Sequence, residues 1–328
     1  MVEERSGEGS DAAGAATSMD AVRTYLEGLQ DRICGALEEQ DSDRLFLRGE
    51  LPGERGGRAR PRVLEGGQHI EKTAVMFSHT RGASLPAAAT VRRPELAGRA
   101  FEAVSVSLIV HPRNPFAPTS HANVRAFVAS KSGEPAVWWF GGGFDLTPIY
   151  GFDEDCIHWH ETAKLAVETV VPGRYREWKL ACDAYFHLPH RGEPRGIGGI
   201  FYDDQGPAEL GSFERGFALM RSVADAYIGA YMPLLARRKL QPFGERERDF
   251  QLYRRGRYAE FNLAFDRGTR FGLQAGSRAE SILASLPPLC TWRYDWHPEP
   301  NTPEAALYER YLVPRDWLAL GTPAESTG

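Results

Sequence analysis

Ser107 and His111 stand four residues apart in a run that alternates polar and apolar side chains; His121, Asn123 and Arg125 stand two apart in the next such run. An extended chain points every second side chain to the same face. Val104, Val106, Leu108 and Val110 therefore share one face of the first strand, opposite Ser105, Ser107, Ile109 and His111. In the second strand Ala122, Val124, Ala126 and Val128 oppose His121, Asn123, Arg125 and Phe127. The link over 112–120 contains Pro112, Pro115 and Pro118 and is read as a loop. If the two strands pair antiparallel through it, Ser107, His111, His121, Asn123 and Arg125 line one surface. Arg offers a planar two-pronged fork, Asn an amide donor and Ser a hydroxyl, a set suited to carboxylate. The plainer alternative is a polar sheet face satisfied by its own hydrogen bonds. A His in an anion-lined hollow can serve as general acid or base without special spacing.

Other candidates carry alternatives. His111, His121, His160 and His190 are a set that could ligate a divalent metal, although no H-E-x-x-H spacing is present and His158-x-His160 alone is weak. Gly141-Gly142-Gly143 and the glycines at 196–199 do not form G-x-G-x-x-G, and there is no Walker-type loop. Nucleotide binding is therefore not expected. Such glycines suit close approach of a flat ligand or a neighbouring backbone. Asp145 and Asp266 are each placed at a strand end, where aspartate commonly closes a turn. Ionised, each could instead accept hydrogen bonds from cationic or pyrrole-like N–H groups. Trp138, Trp139, Trp159 and Trp292 are aromatic walls or core.

The elements that must hold these residues can be placed by period. Residues 1–19 are read as a flexible tail. Asp20 would cap a helix whose apolar positions are Val22, Leu26, Leu29, Ile33 and Leu37. Residues 50–68, rich in Gly, Arg and Pro, are read as an irregular basic loop. A third strand over 136–140 runs into the triple glycine. Helices are expected from about Asp153 and across Tyr175, Trp178, Cys182 and Tyr185. The strongest helical stripe is Phe213, Phe217, Met220, Ala224, Tyr227, Ile228, Tyr231 and Leu235. Residues 195–204 and 257–265 are read as further strands. Strands in sequential runs favour an α+β domain with a large, mostly antiparallel β-sheet.

Composition sets outer bounds. The 328 residues include 39 basic and 44 acidic side chains, a formal charge of −5, which argues against phosphate-backbone binding and so against a nucleic-acid partner. Hydrophobic residues at 42% and charged residues at 25% are ordinary globular usage. The four cysteines are scattered without C-x-x-C and read as reduced thiols. The first twenty residues lack the pattern of a signal or transit peptide, and no apolar run reaches the roughly 18 residues of a membrane span. A cytoplasmic protein is expected.

Several segments taken together resemble the aerobic, oxygen-dependent coproporphyrinogen-III oxidase family. They are Ser107-Leu-Ile-Val-His111-Pro-Arg-Asn-Pro, Thr119-Ser-His121-Ala-Asn123-Val-Arg125, Trp138-Trp-Phe-Gly-Gly-Gly-Phe-Asp145-Leu-Thr-Pro148, His158-Trp-His160 and Tyr258-Ala-Glu-Phe-Asn-Leu-Ala-Phe-Asp266-Arg-Gly-Thr. The resemblance runs in order from about residue 20 to 315 and implies one catalytic domain over 20–315, with 316–328 a C-terminal tail. It implies a single-domain α+β fold whose large sheet is flanked by helices on both faces, and a homodimer. The implied reaction converts two propionates of coproporphyrinogen III to vinyl groups, with molecular oxygen as co-substrate and no flavin, haem or nicotinamide. The resemblance further implies substrate contacts at Ser107, Asn123, Arg125 and Gly276-Ser277-Arg278. It makes His121 a proton donor, and Asp145 and Asp266 acids that orient the tetrapyrrole. A divalent metal at His111, His121, His160 and His190 is implied by bacterial members, and the stretch 258–293 is associated with dimer contact. The competing readings are a His-metal hydrolase and a non-catalytic binder of porphyrins or other polycarboxylates.

Overall fold

The computed structural model describes residues 10–41, 43–85, 93–274 and 278–321. Gly276 and Ser277 lie outside the described residues. Six long strands form one sheet in sequence order: β1 (Arg58–Glu65), β2 (Ile70–Gly82), β3 (Ala100–Pro112), β4 (Thr119–Lys131), β5 (Glu134–Thr147) and β6 (Gly198–Gln205). Every pairing is antiparallel. The two-residue segments Leu47–Arg48 and Leu51–Pro52 both pair with β1 and bring the sheet to eight strands.

The apolar face of β3 and β4 is covered as the alternation requires. Val104, Val106, Leu108, Val110, Val124 and Ala126 are buried in one cluster with side chains from helices α1 (Ser10–Gln40), α2 (Asp153–Glu168) and α4 (Phe213–Arg238). Helix α3 (Tyr175–Tyr185) adds Trp178 to the same cluster. Helix α4 starts where Ser212 Oγ accepts the Arg215 amide at 3.2 Å, and Arg237 and Arg238 stand at its negative end. The opposite face is covered by α5 (Glu245–Ala264), whose Tyr258 packs with Ala284 against Ala74 and Ile109. Two short helices, α6 (Arg267–Gln274) and α7 (Ala279–Leu283), follow. Helices thus flank a large antiparallel sheet on both sides, the α+β architecture expected. Among the described residues no helix is long and apolar enough to cross a membrane.

Four local expectations need correction. Residues 257–265 are not a strand but the last turns of α5 and its cap. Phe250, Tyr253, Arg254, Arg257, Tyr258 and Phe261 are among its buried positions, spaced three and four apart, and the short window 257–265 hides that period. The stretch 50–68 is not an irregular loop throughout, because 58–65 form β1; Pro61 is tolerated beside interrupted outer partners. Helix α1 begins at Ser10, ahead of Asp20. Strand β5 continues through the triple glycine as far as Thr147. Near the C-terminus, Trp317 is buried in the main core.

Candidate active site

The register places the polar side chains in phase. Ser107 stands opposite Asn123 on β3 and β4, and His121, Asn123 and Arg125 stand opposite Asp145, Gly143 and Gly141 on β5. Ser107, His121, Asn123 and Arg125 therefore share one half-buried face. Arg125 donates to Asn123 Oδ1 at 2.7 Å. The Asn123 amide N–H groups and the Ser107 hydroxyl make no hydrogen bond among the described residues, so both are available to a ligand. His111 belongs to the same side of β3 but is sealed: it is fully buried, its ring meets Tyr258 edge-on at 5.1 Å, and its Nε2 bonds the Ser285 carbonyl at 3.0 Å.

Behind His121 runs a buried polar chain. Its Nδ1 lies 2.8 Å from Asp145 Oδ1. Arg195 reaches Asp145 Oδ2 at 2.7 Å and Asn262 Oδ1 at 2.9 Å, and Asn262 donates to Ser285 Oγ at 3.2 Å. Asp145 and Arg195 are each only 2% exposed. Burial opposes charge on Asp145, but Arg195 and the His121 hydrogen bond outweigh it and hold the carboxyl below its ordinary range. An ionised carboxylate only accepts, so Nδ1 carries the proton and donates. That fixes Nε2 as the ring nitrogen left for chemistry, and it has no partner among the described residues. Both Asp145 oxygens are occupied, one by an imidazole and one by a guanidinium; in this geometry Asp145 orients His121.

A second charged group adjoins the first. Arg125 also contacts Asp203 on β6 at 2.6 Å, and Arg267, at the start of α6, reaches the other Asp203 oxygen at 3.2 Å. The Arg267 guanidinium lies over Tyr185, whose ring stacks on Phe201 at 4.5 Å. Glycine at 141 is what allows this arrangement. A Cβ there would sit 2.8 Å from Asp203 Oδ1 and 2.9 Å from Arg125 Nε. Gly143 has φ +143°, and a Cβ would fall 2.0 Å from the Ile200 carbonyl oxygen. The triple glycine thus serves backbone approach and the seat of Arg125.

Asp266 follows a helix, not a strand. Its Oδ2 accepts the Thr269 amide at 2.7 Å at the start of α6, and its Oδ1 accepts from Tyr185 at 2.9 Å. Burial opposes its charge, but the Thr269 amide and nearby His121 hold the carboxyl below its usual range. Arg278 is exposed and pairs with Glu280 at 3.1 Å. Pattern reading missed Arg195, Asp203, Asn262 and Arg267. The only available signal for Asp203 was its alternation with Phe201 on β6. Arg195 and Asn262 become partners only through tertiary packing.

The four imidazoles suggested for a metal do not converge. His160 is buried on α2 with both nitrogens taken, by Tyr175 Oη at 2.8 Å and by the Ile197 carbonyl at 3.1 Å. Its pKa is lowered to about 3, by burial and then by Lys179. Burial, with Arg255 nearby, likewise pushes His111 well below its ordinary value. His190 pairs with Glu260 at 2.7 Å on the surface. No group of three His, Cys, Asp or Glu side chains among the described residues is placed to hold an ion. These residues do not fit one shared metal.

The family model described as coproporphyrinogen III oxidase matches residues 21–317, nearly the whole chain. The chain belongs to that family. Coproporphyrinogen III oxidases are oxidoreductases of porphyrin and haem biosynthesis, and the substrate that follows from membership is coproporphyrinogen III. That molecule carries four propionates and four pyrrole N–H groups. On the β3–β4 face the Asn123 amide and the Ser107 hydroxyl are donors without a partner among the described residues, and the Arg125 guanidinium beside them is held by Asn123 and Asp203.

Proposed function

We propose that this coproporphyrinogen III oxidase is the oxygen-dependent form, removing carbon dioxide from two propionates of its substrate to leave vinyl groups. The observation that carries the reading is the half-buried face on which Ser107, Asn123 and Arg125 offer donors beside an imidazole oriented by a buried carboxylate. Each step loses CO2 and one hydrogen from the carbon next to the pyrrole, which frees two electrons. Molecular oxygen accepts them with two protons and leaves as hydrogen peroxide. The chain's own part is placement and charge. Arg125 and Asn123 grip the carboxylate of the bound propionates. His121, with Nδ1–H held by Asp145, moves a proton at Nε2. Asp203 and Asp266 are the carboxylates assigned to the pyrrole N–H groups, each exchanging one of its present partners for the substrate. Arg278 and the neighbouring 276–277 segment remain a second substrate contact in this reading. No step is assigned to a metal, because the four imidazoles keep separate partners.

The reading includes a homodimer. Leu263, Phe271 and Trp292 are 48%, 60% and 55% exposed within the stretch linked to dimer contact, and sedimentation of the purified chain tests it. The functional test is turnover of coproporphyrinogen III with and without air, with products read by fluorescence after oxidation. Consumption in air that stops under nitrogen supports the reading. Equal rates under nitrogen overturn oxygen dependence, and binding without consumption favours a porphyrin binder.

A further inference from the structure

Past Arg125 the same sheet face turns aromatic. Phe127, two residues along β4 from Arg125, stacks on Trp139 of β5 with centroids 3.9 Å apart and planes 20° apart. Phe101 of β3 extends the stack on the other side, 5.9 Å from Phe127 and 11° off parallel. Arg93 closes its far end, with its guanidinium carbon 4.1 Å from the centre of Trp139. All four side chains are half-buried, so the row is neither core nor free surface.

Arg93 is also tied to the charged group already described. Its Nη1 lies 3.3 Å from Asp204, the residue after the Asp203 that holds Arg125. Its Nε lies 2.9 Å from Glu95. Asp204 sits at an irregularity in the β5–β6 pairing with φ +51°, a strained backbone that turns its carboxylate toward Arg93 while Asp203 turns to Arg125. Two adjacent aspartates thus hold two arginines on one face. Phe127 is about 7 Å from Arg125 along the strand, and Trp139 is about 5 Å across from Phe127. Those spacings are comparable with the separation of neighbouring pyrroles and their propionates.

We infer that Arg93 is a second carboxylate anchor, taking a propionate of the tetrapyrrole that is not being cleaved while the macrocycle packs against the Phe127–Trp139 stack. This rests on the substrate reading above. A guanidinium backed by an indole is desolvated on one side and pre-oriented, which favours a planar anion partner over a mobile surface lysine. Asp204 and Glu95 hold Arg93 in place in the free enzyme, as Asp203 does for Arg125. Recognition at a remote carboxylate then fixes which ring faces His121.

The test compares full-length wild type with R93Q and R93K, each checked for an unchanged melting temperature. Two fluorescent probes share one ring and differ in charge: coproporphyrin III with four free carboxylates and its tetramethyl ester with none. R93Q should bind coproporphyrin III about ten-fold more weakly and the tetramethyl ester within two-fold of wild type. R93K should recover only part of the loss, because it restores the charge without the planar fork. With coproporphyrinogen III in air, KM should rise about ten-fold with kcat within two-fold. Equal weakening of both probes, or no change in either, overturns the inference. If wild type does not turn over coproporphyrinogen III, the functional reading fails on its own, while the probe ratio still reports on Arg93.

Discussion

Asp145→Asn is the most demanding perturbation of the site. The change keeps size and shape but removes the only ion-pair partner of Arg195 among the described residues, and both partners are 2% exposed, so solvent cannot take over the pairing. Breaking a buried ion pair by neutralising one partner costs about 3–5 kcal/mol. Asn retains one acceptor oxygen for either His121 or Arg195, which favours the lower end, about 3 kcal/mol. For a chain of this size that is a fall in melting temperature of roughly 4 °C. The pH dependence has a fixed sign. The folded-state pKa of Asp145 lies below its ordinary 3.8, so the stabilisation is fully present above that value and is lost as pH falls through the depressed one. The gap between wild type and variant should stay constant from neutral pH to about 4 and then narrow. Activity should fall about 100-fold or more, because Nδ1 of His121 is no longer held by a charge. Thermal unfolding followed by circular dichroism, with kcat measured on the same preparations, decides the matter. A variant melting within about 1 °C of wild type with unchanged kcat would refute the role given to the buried pair.

Four further outcomes follow from the geometry. Arg125→Ala should lower kcat/KM for coproporphyrinogen III by about 10- to 100-fold through loss of a charge-assisted contact, read by steady-state kinetics. Gly141→Ala should reduce kcat/KM with a smaller effect on the melting temperature, because its methyl displaces Arg125 and Asp203 while leaving the core alone. His160 is held neutral down to about pH 3, whereas in the unfolded chain it titrates near 6.5; stability should therefore decline as pH falls from 6.5 toward 3, and His160→Gln should flatten that limb in acid-unfolding curves. Divalent-metal affinity by titration calorimetry should be the same for wild type and His160→Gln, since both ring nitrogens already have partners; a loss would mean that the four imidazoles meet in solution.

The face of the site was legible in the sequence because alternation on β3 and β4 is governed by one rule of extended chain, and the apolar half of each strand leaves no choice of side. The α4 stripe was legible for the same reason at the helical period. Helix α5 was not, because its buried face includes Arg254, Arg255 and Arg257, residues that a hydrophobic pattern counts as solvent-facing. They are buried because Glu193 and Glu71, far away in sequence, pair with them. The same limit hid Arg195, whose partners lie on β5 and α5. Strand β1 was obscured by Pro61 and by arginines whose acids, Asp31 and Glu50, come from other segments.

A crystal structure of the protein with coproporphyrin III bound bears most directly on where the substrate sits. The macrocycle should lie on the β3–β5 face, with one carboxylate within hydrogen-bonding distance of Arg125 and the Asn123 amide and with His121 Nε2 facing the ring edge. A porphyrin seated elsewhere, with Arg125 still paired only to Asp203 and Asn123, would contradict the assignment of this face.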